Sequence, residues 1–133
     1  MADWLDLVVD ARAIRAVYGE HTPDLSGIAV VDLVAQPDGR RVQVRFDLAE
    51  FPAIPPAKWV AAKNNTVQLT LSFESTEQVR FTGPITDDAA DLVLTRENAG
   101  IAGELTAPSF SLTVRSEWLV LRKLAAYQQE RSS

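Results

Sequence analysis

Apolar and polar residues alternate along much of this chain, most cleanly in the middle. Val67, Leu69, Leu71 and Phe73 are separated by Gln68, Thr70 and Ser72. A period of two places the first set on one face of a strand and the second on the other, so the stretch reads as a strand with one face in a core and one in water. Residues 41–48 repeat the pattern without a fault: Val42, Val44, Phe46 and Leu48 point inward, and Arg41, Gln43, Arg45 and Asp47 point outward. Residues 25–36 form the strand before it. There Ile28, Val30 and Asp32 share one face and Ala29, Val31 and Leu33 the other, which suggests cover on both sides, with an N-terminal helix as one of the covers. Pro37-Asp38-Gly39-Arg40 joins the two strands as a hairpin, because Pro presets φ and Gly tolerates a positive one.

Beyond Phe73, Glu74-Ser75-Thr76-Glu77 reads as a polar turn into a strand through Val79 and Phe81, which Gly83-Pro84 ends. Residues 91–95 form a strand with Leu92 and Leu94 inward, Glu97-Asn98-Ala99-Gly100 turns the chain, and residues 101–106 return to a break at Ala107-Pro108. Phe110, Leu112 and Val114 alternate again. Residues 116–127 read as strand or as helix; Trp118 and Val120 keep the strand parity and favour a long last strand to about Leu124. At the other end, Trp4, Leu7, Val8, Ala11, Ile14 and Val17 make one apolar stripe of a helix over residues 3–18. Its weak point is Val8-Val9-Asp10-Ala11, where a short turn could give way to a shorter helix capped by Asp10. Gly19 stands where a helix C-cap glycine is expected. Between Leu48 and Val67, Pro52, Pro55 and Pro56 lack an N–H and push their predecessors out of the helical region. With Trp59 and the turn-prone Asn64-Asn65, this run reads as a connection folded tightly against a sheet.

These elements predict an α+β fold in a single domain over residues 1–133. It is a bent antiparallel β-meander of about seven or eight strands with the N-terminal helix packed on it and residues 128–133 frayed. A length of 133 residues suits one core. The absence of cysteine excludes disulfides, thiolate metal sites and a cysteine nucleophile, and it fits a reducing cytoplasm. Asp3, Asp6 and Asp10 occupy a region that a secretory leader would make basic, and no apolar run approaches the roughly 18 residues that cross a bilayer. A net charge of −5 argues against nucleic acid as partner; it suits a basic protein partner and equally a mildly acidic balance that only keeps the protein in solution.

Little in the chain points to chemistry. His21 is the only histidine and lies in a loop without a nucleophile beside it. Asp87, Asp88 and Asp91 cluster in one loop but lack the spacing and glycine of a calcium loop, so they read as a solvated loop or an anionic patch for a basic protein. Gly100 and Gly103 precede no helix and form no phosphate loop. Asn64, Asn65, Thr66 and Gln68 are suited to satisfying backbone groups at the entry to the core strand, and Trp59 to packing. No catalytic, metal or cofactor residue is nominated, and an enzyme is not expected.

The order Leu48, Phe51-Pro52, Pro55-Pro56, Lys58-Trp59, then Asn65-Thr66-Val67-Gln68-Leu69 and Leu71 resembles the immunity protein 50 family of bacterial polymorphic toxin systems. The resemblance extends to Trp4, Tyr18-Gly19, Pro23, Leu25, Arg45-Phe46-Asp47-Leu48 and Ala126-Tyr127, and so covers most of the chain in order. It implies a small cytoplasmic protein that binds and neutralises a cognate toxin, without catalytic residues or cofactors. Phe51, Pro52, Pro55, Pro56, Lys58, Trp59, Asn65, Thr66 and Gln68 are then fold-defining. Partner contacts are expected in loops and on the polar sheet face, with Asp87, Asp88 and Asp91 as candidates if the toxin is basic. The free protein is expected to be a monomer. Two rival readings remain: a small-ligand binder with Trp59 and Gln68 lining a pocket, or a homo-oligomeric module using its sheet face.

Overall fold

In the computed structural model, which describes residues 3–130, the alternating stretches form one six-stranded sheet. A 3-10 turn at Trp4–Leu7 and helix α1 (Arg12–Tyr18) precede β1 (Ala29–Gln36), a 3-10 turn at Asp38–Arg40 and β2 (Arg41–Asp47). Helix α2 (Ala57–Ala61), β3 (Thr66–Thr82), β4 (Asp91–Glu97), β5 (Gly100–Thr106) and β6 (Ser111–Tyr127) follow. All pairings are antiparallel, in the order β1-β2-β3-β6-β5-β4. The chain thus lays down two three-stranded meanders and joins them along their last strands. β3 and β6 are 17 residues each and run side by side from Thr66 opposite Tyr127 to Thr82 opposite Ser111. The two meanders take corresponding places on either side of the β3–β6 pair, a correspondence that no sequence repeat announces.

Both long strands bend midway. Ser75 adopts φ 55° and the pairing slips between Thr76 and Gln78, leaving Glu77 as an extra residue. Such a bulge bends a strand without ending its ladder. The turn expected at residues 74–77 is therefore a corner within β3, and the two strands it would have separated are one. This accounts for six strands where the sequence suggested seven or eight. Across the corner the buried set of β6 shifts: Val114 and Ser116 are buried, then Leu119, whereas Trp118, expected inside, is 51% exposed. The last strand also runs three residues past Leu124 to Tyr127.

The helix expected over residues 3–18 divides at its weak point. Val8 bridges Leu119 in parallel, and Val9 donates its N–H to the Leu119 carbonyl at 2.9 Å, so the segment between turn and helix is extended along β6. Asp10 accepts from the Arg12 N–H at 3.1 Å, and Gly19 ends α1 at φ 69°. The opposite seam closes where Ile28 and Ala90 exchange backbone hydrogen bonds of 2.9 Å.

Val42, Val44, Phe46, Val67, Leu69, Leu71 and Phe73 are all buried, as their alternation predicts, and Leu5, Ile14 and Tyr18 join the same core. Each fully buried Leu, Val or Phe contributes roughly 1.5–3 kcal/mol. Gly103 makes room for Phe73: a Cβ at this position would lie 2.6 Å from the ring. Two outward positions differ from expectation, Asp47 and Ser72. Ser72 is fully buried between Gln43 and Val120 on neighbouring strands, and its hydroxyl has no partner. Of the tail, Gln129 exchanges hydrogen bonds with Asn65, while residues 131–133 lie outside the described residues.

Candidate functional site

The proline-rich connection folds around one short helix that its sequence did not suggest. Pro56 precedes α2, where its fixed φ suits a helix start and its missing N–H costs nothing. Trp59 donates its N–H to the Pro56 carbonyl at 2.9 Å and sets its ring 6.1 Å from that of Phe51. Pro52 is buried, Pro55 and Pro56 are half-buried, and Lys58 is exposed without an ion pair among the described residues. Next to this corner lies a polar knot. The buried carboxylate of Asp47 accepts from Gln68 Nε2 at 3.0 Å and from the Tyr127 hydroxyl. Asn65 donates its side-chain N–H to the Gln129 carbonyl at 2.9 Å and accepts from the Gln129 N–H and the Thr66 hydroxyl, each at 2.8 Å. Burial, then the hydrogen bond to Asp47 and its charge, push the Tyr127 phenol up to about 12. Burial also pushes up the Tyr18 phenol, which donates to the Glu50 carbonyl at 2.7 Å. Trp59 and Gln68 are thus spent on packing and on holding Asp47.

The acidic loop has a mixed character. Asp87 and Asp88 are exposed; Thr86 donates its hydroxyl to Asp88 at 2.8 Å and meets the Ser109 hydroxyl at 2.6 Å. Asp91 opens β4 and accepts from the Gly27 N–H at 3.0 Å, fastening the loop before β1 at the closed seam. Loop position gave no sign of that long-range bond. Among the described residues, no three of His, Asp and Glu are grouped as metal ligands. His21 sits exposed against Glu50.

Two further surfaces escaped the sequence reading. An apolar groove of about 310 Å³ lies between β1 and the distal half of β3. Leu33 and Ala35 form one wall, Val79, Phe81 and Ile85 the other, with Val42 contributing to the lining. Val79 and Phe81 are on the core face by parity, yet they are 46% and 43% exposed. Alternation told which face they occupy, not whether anything covers it. The second is a cleft of about 570 Å³ at the corner, where exposed Trp118 stands among Glu77, Glu97, Glu117 and Arg115. Arg115 pairs with Glu97.

No helix among the described residues is long and apolar enough to cross a membrane. The chain matches no curated protein and no solved structure. Residues 10–127 match a family model described as Immunity protein 50.

Proposed function

The chain belongs to the immunity protein 50 family, and from that premise we propose that it is a non-enzymatic immunity protein of a bacterial polymorphic toxin system. It binds a cognate toxin domain in the cytoplasm and neutralises it by covering the toxin's working surface. The family match over residues 10–127 carries this reading. The fold is consistent with it. The motif residues Phe51, Pro52, Pro55, Pro56, Trp59, Asn65, Thr66 and Gln68 build a corner and a polar knot, which leaves loops and edges free to vary with the partner. The chain works as one domain and is monomeric when free.

A net charge of −5 favours a basic toxin, and exposed Asp87 and Asp88 supply part of the contact. Charges at the rim of an interface act mainly on association rate and its salt dependence. Asp91 belongs to the same patch, but its bond to Gly27 gives it a structural duty as well. The test is tagged protein mixed with its cognate toxin domain, at low and high salt. A one-to-one complex that protects the toxin's target, and that forms more slowly as salt rises, is the expected result. Asp87→Ser with Asp88→Ser should slow association and flatten its salt dependence. An unchanged rate would remove the loop from the interface, and the absence of any complex would overturn the immunity reading.

A further inference from the structure

The matching strand order of the two meanders gives two corresponding slots. One lies between β4 and residues 117–127 of β6; the other lies between β1 and residues 76–82 of β3. The first is filled by the chain itself. Trp4–Leu7 packs beside β4, Val8 bridges Leu119 on β6, and Leu5, Leu7 and Val8 are buried there. The second slot is open. Among the described residues β1 and the distal half of β3 each have a partner on one side only, β2 and β6 respectively, apart from the seam at Ile28. The groove of about 310 Å³ occupies the space between them.

We propose that this open slot receives an extended segment of the toxin, seated as Trp4–Val9 is seated in the filled one. The inference rests on the immunity reading for the identity of the partner. Its chemistry is fixed by the slot. Val79, Phe81 and Ile85 are 43–51% exposed on an otherwise well-covered core face, and they call for apolar side chains at the centre of the segment. The slot's two ends carry opposite charge. At one end, a shallow extension is lined by Arg40 and Arg41. Arg40 has no ion pair among the described residues, and Arg41 reaches Glu74 only at 4.0 Å, a carboxylate that Arg122 also engages. At the other end, Ile85 leads directly into Asp87 and Asp88. The segment is therefore apolar in its middle, acidic at the Arg40 end and basic at the Asp87 end.

The experiment compares wild type, Phe81→Asp, Ile85→Asp and Trp118→Ser for binding to the same cognate toxin domain, with thermal melts to verify folding and sedimentation to report oligomeric state. A labelled synthetic peptide of residues 3–12, the chain's own slot-filling segment, is titrated in parallel. The expected result is a folded Phe81→Asp protein with toxin affinity reduced at least about tenfold, as for a buried apolar anchor. Ile85→Asp should follow it and Trp118→Ser should have little effect. The peptide should bind wild type and not Phe81→Asp. If toxin binding survives Phe81→Asp and Ile85→Asp, or is lost only in Trp118→Ser, the slot is not the docking site although the immunity reading stands. If wild type does not bind the toxin, the immunity reading fails and takes the named occupant with it; the peptide then reports on the slot alone. If the free protein is a dimer that Phe81→Asp dissociates, the occupant is a second copy of the chain and the inference is overturned.

Discussion

Two slots with the same framework have different contents. Between β4 and β6 the residues at Trp4–Val9 complete the core; between β1 and β3 similar apolar walls stand uncovered. Leu5 is 2% exposed, whereas Phe81, also on an inward-facing position, is 43% exposed. Facing a core and belonging to it are therefore separate properties. Parity along a strand decides the first. The second depends on whether another segment arrives, and that is settled far away in the chain.

The comparison can be broken most decisively at Leu5. Leu5→Ala should cost about 2–5 kcal/mol, because it opens a cavity in a filled slot. Chemical denaturation measures this directly, and a loss as small as that of an exposed site would mean that the filled slot is no part of the core. Gly103→Ala comes next. Its Cβ would press on the buried Phe73 ring, and overpacking of this kind costs roughly 1–3 kcal/mol. The position matters to the comparison because β2 sets Phe46 opposite Leu69 of β3 where β5 sets Gly103 opposite Val114 of β6, so the two meanders are matched in path but not in volume.

Tyr127→Phe tests the end of the strand that borders the filled slot. It removes one of the hydrogen bonds to buried Asp47 and should cost on the order of 1–3 kcal/mol at neutral pH. The same phenol gives a sign for alkaline behaviour. Its folded value is raised from 10.0 to about 12, so the stabilisation is fully present below pH 10 and disappears as pH rises towards 12, because the unfolded chain ionises first. Melts of wild type across that window should fall, and those of Tyr127→Phe should fall less, with the remainder due to Tyr18. Substitutions on the open side should have the least effect. Phe81→Ser should change stability by no more than about 1 kcal/mol, since the ring is not enclosed in the free protein. Ser72→Ala should be neutral or slightly stabilising, because the hydroxyl it removes is buried without a partner.

Much of the sheet was legible in the sequence because its information is local. The alternation from Val42 to Phe46 and from Val67 to Phe73, and the breaks at Gly19, Gly39 and Asn98, each follow from side-chain size and permitted φ. The corner was not legible. Glu74-Ser75-Thr76-Glu77 has the composition of a reversal, and a bulge uses the same residues; only the unbroken pairing with β6 distinguishes them. Trp118 was misplaced for the same reason, since its parity was counted through the bend. The candidate site was legible in part. Asp87 and Asp88 are exposed as their loop composition implied, but the bond from Gly27 to Asp91 and the groove both come from segments distant in sequence.

The pairing of β3 with β6 also has a consequence in time. Thr66 meets Tyr127, so the middle strand of the first meander waits for the last strand of the second. Contacts this distant in sequence slow folding, because the loop between them must close before they reward it. A ribosome that has released residues up to Thr106 has made five of the six strands and neither completed slot. Both slots therefore wait until β6 has emerged and docked, and a chain cut short before it would have neither.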